Sequence, residues 1–225
     1  AGLQMPYQPA IFRVGGPQNF YISYRNILTF ELQLYRVDGK QFTQMLRNRG
    51  SYGSYSFPET DLVWQAQQRA SGALNEYVLK DLTPSQPDGS ALAPGFYFLG
   101  LNADPVSVSR RFLDDRLLIV ANNNLTFKST SDQVMVWLTD LNMGVPVANA
   151  PITVYDQGFE PIGQGRTGQD GLVTLEVPVP DEPYEYRFVV AGNASGAASE
   201  VFAFASSDWG SGVPLYDYGI WGSYY

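Results

Sequence analysis

The chain has 225 residues, 44% hydrophobic, 14% aromatic and 16% charged, with 22 acidic against 14 basic side chains and a net charge of −8. It has no cysteine and no histidine, which removes disulfides, thiolate metal sites, a cysteine nucleophile and the commonest general base and metal ligand. The acidic balance argues against a nucleic-acid surface and against attachment to an anionic membrane, and no run of 18 apolar residues is present to span one.

This length accommodates one or two domains. The start, AGLQMPYQPAIF, lacks a charged region followed by an apolar run, so it is not an intact signal peptide. With no initiator Met, the chain reads as processed or excised from a longer one. Gly15 and Gly16 precede Pro17 with no helical pattern behind them, which is a turn and not a phosphate cradle.

Alternating segments follow at 19–26, 30–37, 61–68 and 76–82, then GFYFLGL at 95–101 and a run at 110–121. Period-two alternation predicts strands with one face on a core. One short helix is predicted over 38–48, capped by Asp38, with Phe42, Met45 and Leu46 on one face. Asn122, Asn123 and Asn124 break the pattern as a short linker would, and few contacts are expected to cross that point. A second series of strands is predicted at 125–130, 133–141, 150–156, 160–167, 172–178, 184–192 and 199–206. Seven strands in about 80 residues is the spacing of an all-β sandwich. The stretch 136–156 reads as a structural hairpin turning on Gly144-Val145-Pro146, and Asp170-Gly171 as a second hairpin turn.

The fold class is therefore all-β: two consecutive immunoglobulin/fibronectin-like seven-stranded sandwiches, with one short helix in the first. The boundaries expected are 1–121 and 122–206, followed by a strap over 207–225. That tail carries Trp209, Tyr216, Tyr218, Trp221, Tyr224 and Tyr225 among glycines. It is expected to pack across a sandwich, with Tyr216, Tyr218 and Trp221 as anchors, and to lead to a further domain.

Candidate chemistry is sparse. Asp114 and Asp115, among Arg110, Arg111 and Arg116, are a formal acid–base pair. As strand neighbours they point to opposite faces and form surface ion pairs or a turn. Asp140, Asp156, Asp170 and Glu160 would suit calcium if gathered at one end, but each Asp borders a turn, where Asp is favoured in any case. Asn124-Leu125-Thr126 and Asn193-Ala194-Ser195 match the glycosylation pattern, which is frequent by chance. No catalytic, cofactor-binding or metal-binding residue is assigned, and no cofactor is expected.

Residues 125–178 resemble a macroglobulin domain of the bacterial alpha-2-macroglobulin family. The resemblance rests on Thr139-Asp140-Leu141, on Gly144, Pro146, Val147 and Ala150, on the strand ITVYD, and on Thr167, Asp170 and Gly171. Upstream, ISYRNILTFELQLYRVDGKQF (22–42), APGFYFLGL (93–101) and RLLIVANNNLTFK (116–128) resemble the preceding domain and the crossing between the two. The resemblance implies a non-catalytic structural pair from a broad-spectrum protease trap. Its partners would be other macroglobulin domains of the parent and, through the full-length parent, endoproteases. It implies a periplasmic or extracellular location, with a membrane-anchored lipoprotein as one form of the parent, and no nucleic-acid or membrane contact by this segment. The family's thioester needs a cysteine, so no capture residue carries over. The alternative is a generic cell-surface module for adhesion or glycan binding.

Overall fold

The period-two segments become strands throughout. The computed structural model describes residues 2–5, 11–48, 55–104, 112–180, 185–195 and 200–209. In chain order the elements are β1 (Gly2–Gln4), β2 (Ile11–Arg13), β3 (Phe20–Arg25), β4 (Thr29–Val37), α1 (Gly39–Arg47), β5 (Leu62–Arg69), β6 (Val78–Leu82), β7 (Gly95–Asp104) and β8 (Asp114–Ala121). They continue with β9 (Asn123–Ser129), β10 (Gln133–Asp140), β11 (Pro151–Tyr155), β12 (Pro161–Arg166), β13 (Leu172–Glu176), β14 (Phe188–Gly192) and β15 (Phe202–Ser206).

These strands form four sheets: β1-β3-β6, β2-β8-β7-β4-β5, β13-β10-β9 and β12-β11-β14-β15. All pairings are antiparallel except β2 with β8. Pairing changes sheet between Ala121 and Asn123, and the first pair of sheets precedes that point while the second follows it.

Side-chain alternation then decides the stacking. Phe20, Ile22 and Tyr24 of β3 face Phe30, Leu32, Tyr97, Leu99 and Val120 in the core of the first sandwich. Val134, Val136 and Leu138 of β10 face Ile152, Val154, Val189 and Ala203 in the core of the second. The opposite faces of the middle sheets meet each other along β7, β8, β14 and β15. Val37, Phe96, Phe98 and Ile119 pack with Phe188, Val190, Phe202 and Phe204 in a third core, with Phe42 and Met45 of α1 between the sheets. The molecule is thus a stack of four sheets around three apolar layers. This explains why β7, β14 and β15 are apolar at nearly every position: strands covered on both faces lose the polar alternation.

The helix forms where the sequence placed it. Asp38 accepts from the backbone N–H of Gln41, and the Gln41 side chain accepts from the backbone N–H of Asp38, a reciprocal capping box.

Four expectations change. The first sandwich has eight described strands, not seven, because the short β1 and β2 join it. β10 and β11 lie in different sheets, so the 136–156 stretch is only locally a hairpin. Thr139 bridges Pro146, and the chain then crosses to the other sheet. Pro146 has no N–H to extend the ladder. β12 and β13, either side of Asp170-Gly171, are also in different sheets. Finally, the Asn-rich crossing lies beside an aromatic core shared by both sandwiches, the opposite of a sparsely contacted linker.

Candidate functional site: the interface between the two sandwiches

The shared core is built from rings. Phe42 sits 4.7 Å from Phe96 and 5.4 Å from Phe204 between ring centres; Phe96 meets Phe202 at 5.0 Å and Phe204 at 5.3 Å, both edge-on. Such pairs contribute about 0.5–1.5 kcal/mol each beyond the area they bury. Trp209 extends the cluster by packing edge-on against Phe204 at 5.2 Å. The anchors expected for the tail, Tyr216, Tyr218 and Trp221, lie outside the described residues, as do Tyr224 and Tyr225.

Polar contacts ring this core. The crossing residues hold the start of β15: the backbone N–H of Phe202 donates to Asn122 Oδ1 at 2.6 Å and to Asn123 Oδ1 at 3.1 Å, and Asn122 Nδ2 donates to the Glu200 carbonyl. The helix is tied to the second sandwich along its length. Gly39 N–H donates to the Ala194 carbonyl at 2.9 Å, Lys40 pairs with Glu160 at 3.1 Å, and Arg47 donates to the Gln157 carbonyl at 2.6 Å. The Lys40–Glu160 pair is exposed and contributes no more than about 1 kcal/mol.

Between those ties sits the tip of the β11–β12 hairpin. Asp156 Oδ1 accepts the N–H groups of Gly158 and Glu160 at 2.8 and 2.9 Å, which folds residues 156–160 into a tight turn. Phe159 there has φ +64°, an uncommon conformation for a bulky side chain, costing on the order of 1–3 kcal/mol. Its ring lies flat on Tyr155, 4.1 Å between centres and 2° between planes, and reaches Gly39. Burial raises the Tyr155 hydroxyl pKa, opposed by a hydrogen bond with Thr153.

The candidate residues of the sequence resolve into structural roles. Asp114 pairs with Arg116 at 2.8 Å and accepts the Met5 N–H at 2.8 Å, while Arg116 donates to the Met5 carbonyl, so together they hold the chain after β1. Asp115 is held nearby, its N–H donating to Asp114 Oδ1 at 2.9 Å. Arg110 and Arg111 lie outside the described residues. Asp140 Oδ1 accepts from the N–H groups of Asn142 and Met143, both at 2.8 Å, and Asp170 Oδ1 from Leu172 N–H at 3.0 Å. Each carboxylate closes its own turn, and among the described residues no group of three such side chains is placed to hold a metal ion. Asn124 is exposed on β9, and Asn193 Oδ1 accepts the Ser195 N–H at 2.9 Å.

The motif residues brace one end of the second sandwich. Thr167 Oγ1 donates to the Val147 carbonyl at 2.6 Å and accepts the Ala150 N–H at 2.9 Å. Gly171, at φ +74°, presents its carbonyl to Leu138 N–H at 3.0 Å; a Cβ there would lie 3.0 Å from Pro146 Cβ and closer still to the Leu138 carbonyl.

Sequence reasoning missed Arg187. This buried guanidinium donates to the carbonyls of Thr130 (2.6 Å), Ser131 and Pro178 (3.1 Å), joining the β9–β10 turn to the start of β14. Burial lowers its pKa, opposed by Glu185 and Asp132. It borders an open cleft with Pro178, Glu185 and Tyr186, which Asp156 also lines. An arginine preceding an apolar run was the available signal, but nothing in the sequence placed three carbonyls around it.

Two stacked β-sandwiches with a continuous aromatic layer between them define a multidomain β-sandwich module whose organising site is an internal interface. Residues 120–225 match the family model described as the bacterial alpha-2-macroglobulin MG3 domain, and the resemblance read from 125–178 is borne out.

The solved structures extend the likeness in fold to both sandwiches. Native alpha-2-macroglobulin from Escherichia coli spanning domains MG0-NIE-MG1 superposes with a TM-score of 0.63 at 11% identity, covering 91% of this chain and 63% of that one. The fragment spanning NIE-MG1 gives 0.61 at 12% identity, covering 92% and 96%. Salmonella alpha-2-macroglobulin reacted with methylamine gives 0.60 at 12% identity, covering 92% of this chain but 12% of that protein. The chain therefore spans about an eighth of that Salmonella chain. No curated protein sequence matches it.

Proposed function

We infer that residues 1–121 and 122–206 are a non-catalytic structural domain pair of a bacterial alpha-2-macroglobulin-like protease trap, acting in the periplasm or outside the cell. The observation that carries the reading is the macroglobulin match over residues 120–225, preceded by a sandwich stacked on it through the aromatic layer. The residue inventory agrees. Without cysteine the chain holds no thioester, and the carboxylates of Asp114, Asp140, Asp156 and Asp170 are engaged in a strand tie and in turns. Among the described residues no helix is long and apolar enough to cross a membrane. One solved structure similar in fold is the trypsin-activated Escherichia coli protein, which supports endoproteases as the partner class of the parent, with its other macroglobulin domains as the direct partners of this pair.

The test uses the parent polypeptide that contains these residues. Trypsin mixed with a molar excess of it should keep cleaving a small chromogenic peptide while losing activity on a large protein substrate, because entrapment excludes only the large one. The 225-residue chain alone should alter neither rate. A parent without effect on the large substrate overturns the reading, and specific retention of the chain on a glycan array would favour adhesion.

A further inference from the structure

The two sandwiches share an apolar layer, but apolar surfaces alone set no unique angle, because burial is roughly proportional to area and has no direction. Hydrogen bonds across the interface add direction, and one apolar contact there is directional as well. Phe159 is held at φ +64° by the Asp156 turn, its ring lies flat on Tyr155, and its edge enters the space that a side chain at Gly39 would occupy. A Cβ at Gly39 would lie 2.9 Å from Phe159 Cε1, nearer still to Cζ, and 3.0 Å from the Ala194 carbonyl oxygen. That same carbonyl accepts the Gly39 N–H at 2.9 Å. The first turn of α1 is therefore a socket with a glycine floor and a hydrogen-bonding wall, and the hairpin tip is its plug.

We propose that Phe159 and Gly39 form a plug and socket that sets the angle between the two sandwiches, so that the two move as one rigid body in the parent protein. Three observations converge on it. A bulky residue keeps an unfavourable backbone conformation at the tip, which the surroundings must over-determine. A glycine occupies the first helical position although alanine is the better helix former there. Lys40–Glu160 and Arg47–Gln157 flank the plug, tying the tip to the helix on either side of Phe159. The inference stands on the interface geometry and does not depend on the parent being a protease trap.

The native chain has no cysteine, so a spin-label pair is introduced cleanly at the exposed positions Gln67→Cys and Lys128→Cys, one in each sandwich. The unaltered interface should give one narrow distance distribution by pulsed dipolar spectroscopy. Gly39→Ala favours the helix locally but intrudes on the ring, and should shift the mean distance by several ångströms. Phe159→Gly suits the positive φ and removes the plug, and should broaden the distribution about twofold without that shift. Combining the two should abolish the Gly39→Ala shift, because the obstructing ring is gone. An unshifted distance in Gly39→Ala, a shift that persists in the double variant, or a Phe159→Gly distribution as narrow as the native one would each overturn the proposal. Circular dichroism of each variant confirms that the sandwiches are folded.

Discussion

Asn122 Oδ1 accepts the backbone N–H of Phe202 at 2.6 Å. The residue that carries the chain from one sandwich to the next is thereby bonded to the first residue of the last strand, 80 positions away. Asn123, with 5% of its surface exposed, shares the same donor at 3.1 Å. Replacing Asn122 with alanine leaves Asn123 as acceptor and should cost about 1 kcal/mol; replacing both leaves the N–H of a buried residue without a partner and should cost about 1–3 kcal/mol more. Thermal unfolding of the two variants measures the difference, and an equal melting temperature for both would show that the shared donor is not important.

Because Phe96 touches Phe42, Phe202 and Phe204 in the layer between the sandwiches, Phe96→Ala should destabilise the chain by about 3–5 kcal/mol. The melting temperature should fall on the order of 10 °C. Unfolding should remain a single calorimetric transition, since both sandwiches lose a wall when this layer opens. Two separated transitions in the native chain would show that the halves unfold independently.

Arg187→Met should destabilise by about 1.5–3 kcal/mol, because a charge-assisted donor to three carbonyls is lost and apolar bulk is kept. Arg187→Lys should recover only part of this, since an ammonium cannot fork across separate carbonyls as a guanidinium does. Chemical denaturation of the three proteins tests the order.

The Tyr97 hydroxyl is held above its ordinary pKa by burial, partly opposed by Arg36, and donates to the Ala93 carbonyl at 2.7 Å. A raised folded-state value means that the unfolded chain releases this proton first. The stabilisation is complete below about pH 10, the unfolded value, and fades as pH rises through the folded one. Tyr97→Phe should lose the hydrogen bond near neutral pH yet fall less steeply above pH 10. Tyr155, shifted in the same direction, keeps part of the slope. Denaturation midpoints from pH 8 to 11 check the sign.

Strands, helix and family were legible because their signals are local. Alternation marks a strand whichever sheet it joins, Asp38 and Gln41 cap a helix three residues apart, and Thr139-Asp140, Thr167 and Gly171 are turn chemistry that a short window displays. What the stretch 136–156 hid was that β10 and β11 belong to different sheets, because pairing is decided by partners such as Val173 and Val189 that lie far along the chain. The short β1 and β2 have three residues each, too few for periodicity to register. The middle apolar layer was invisible for the same reason. A run such as GFYFLGL shows that both faces of a strand are covered, but only tertiary structure shows that one cover belongs to the first sandwich and the other to the second. The sequence by itself determined which faces must leave water; the tertiary structure decided what each face meets, because burial has no direction and the choice among apolar partners is made by shape, as in the ring of Phe159 and the missing side chain of Gly39.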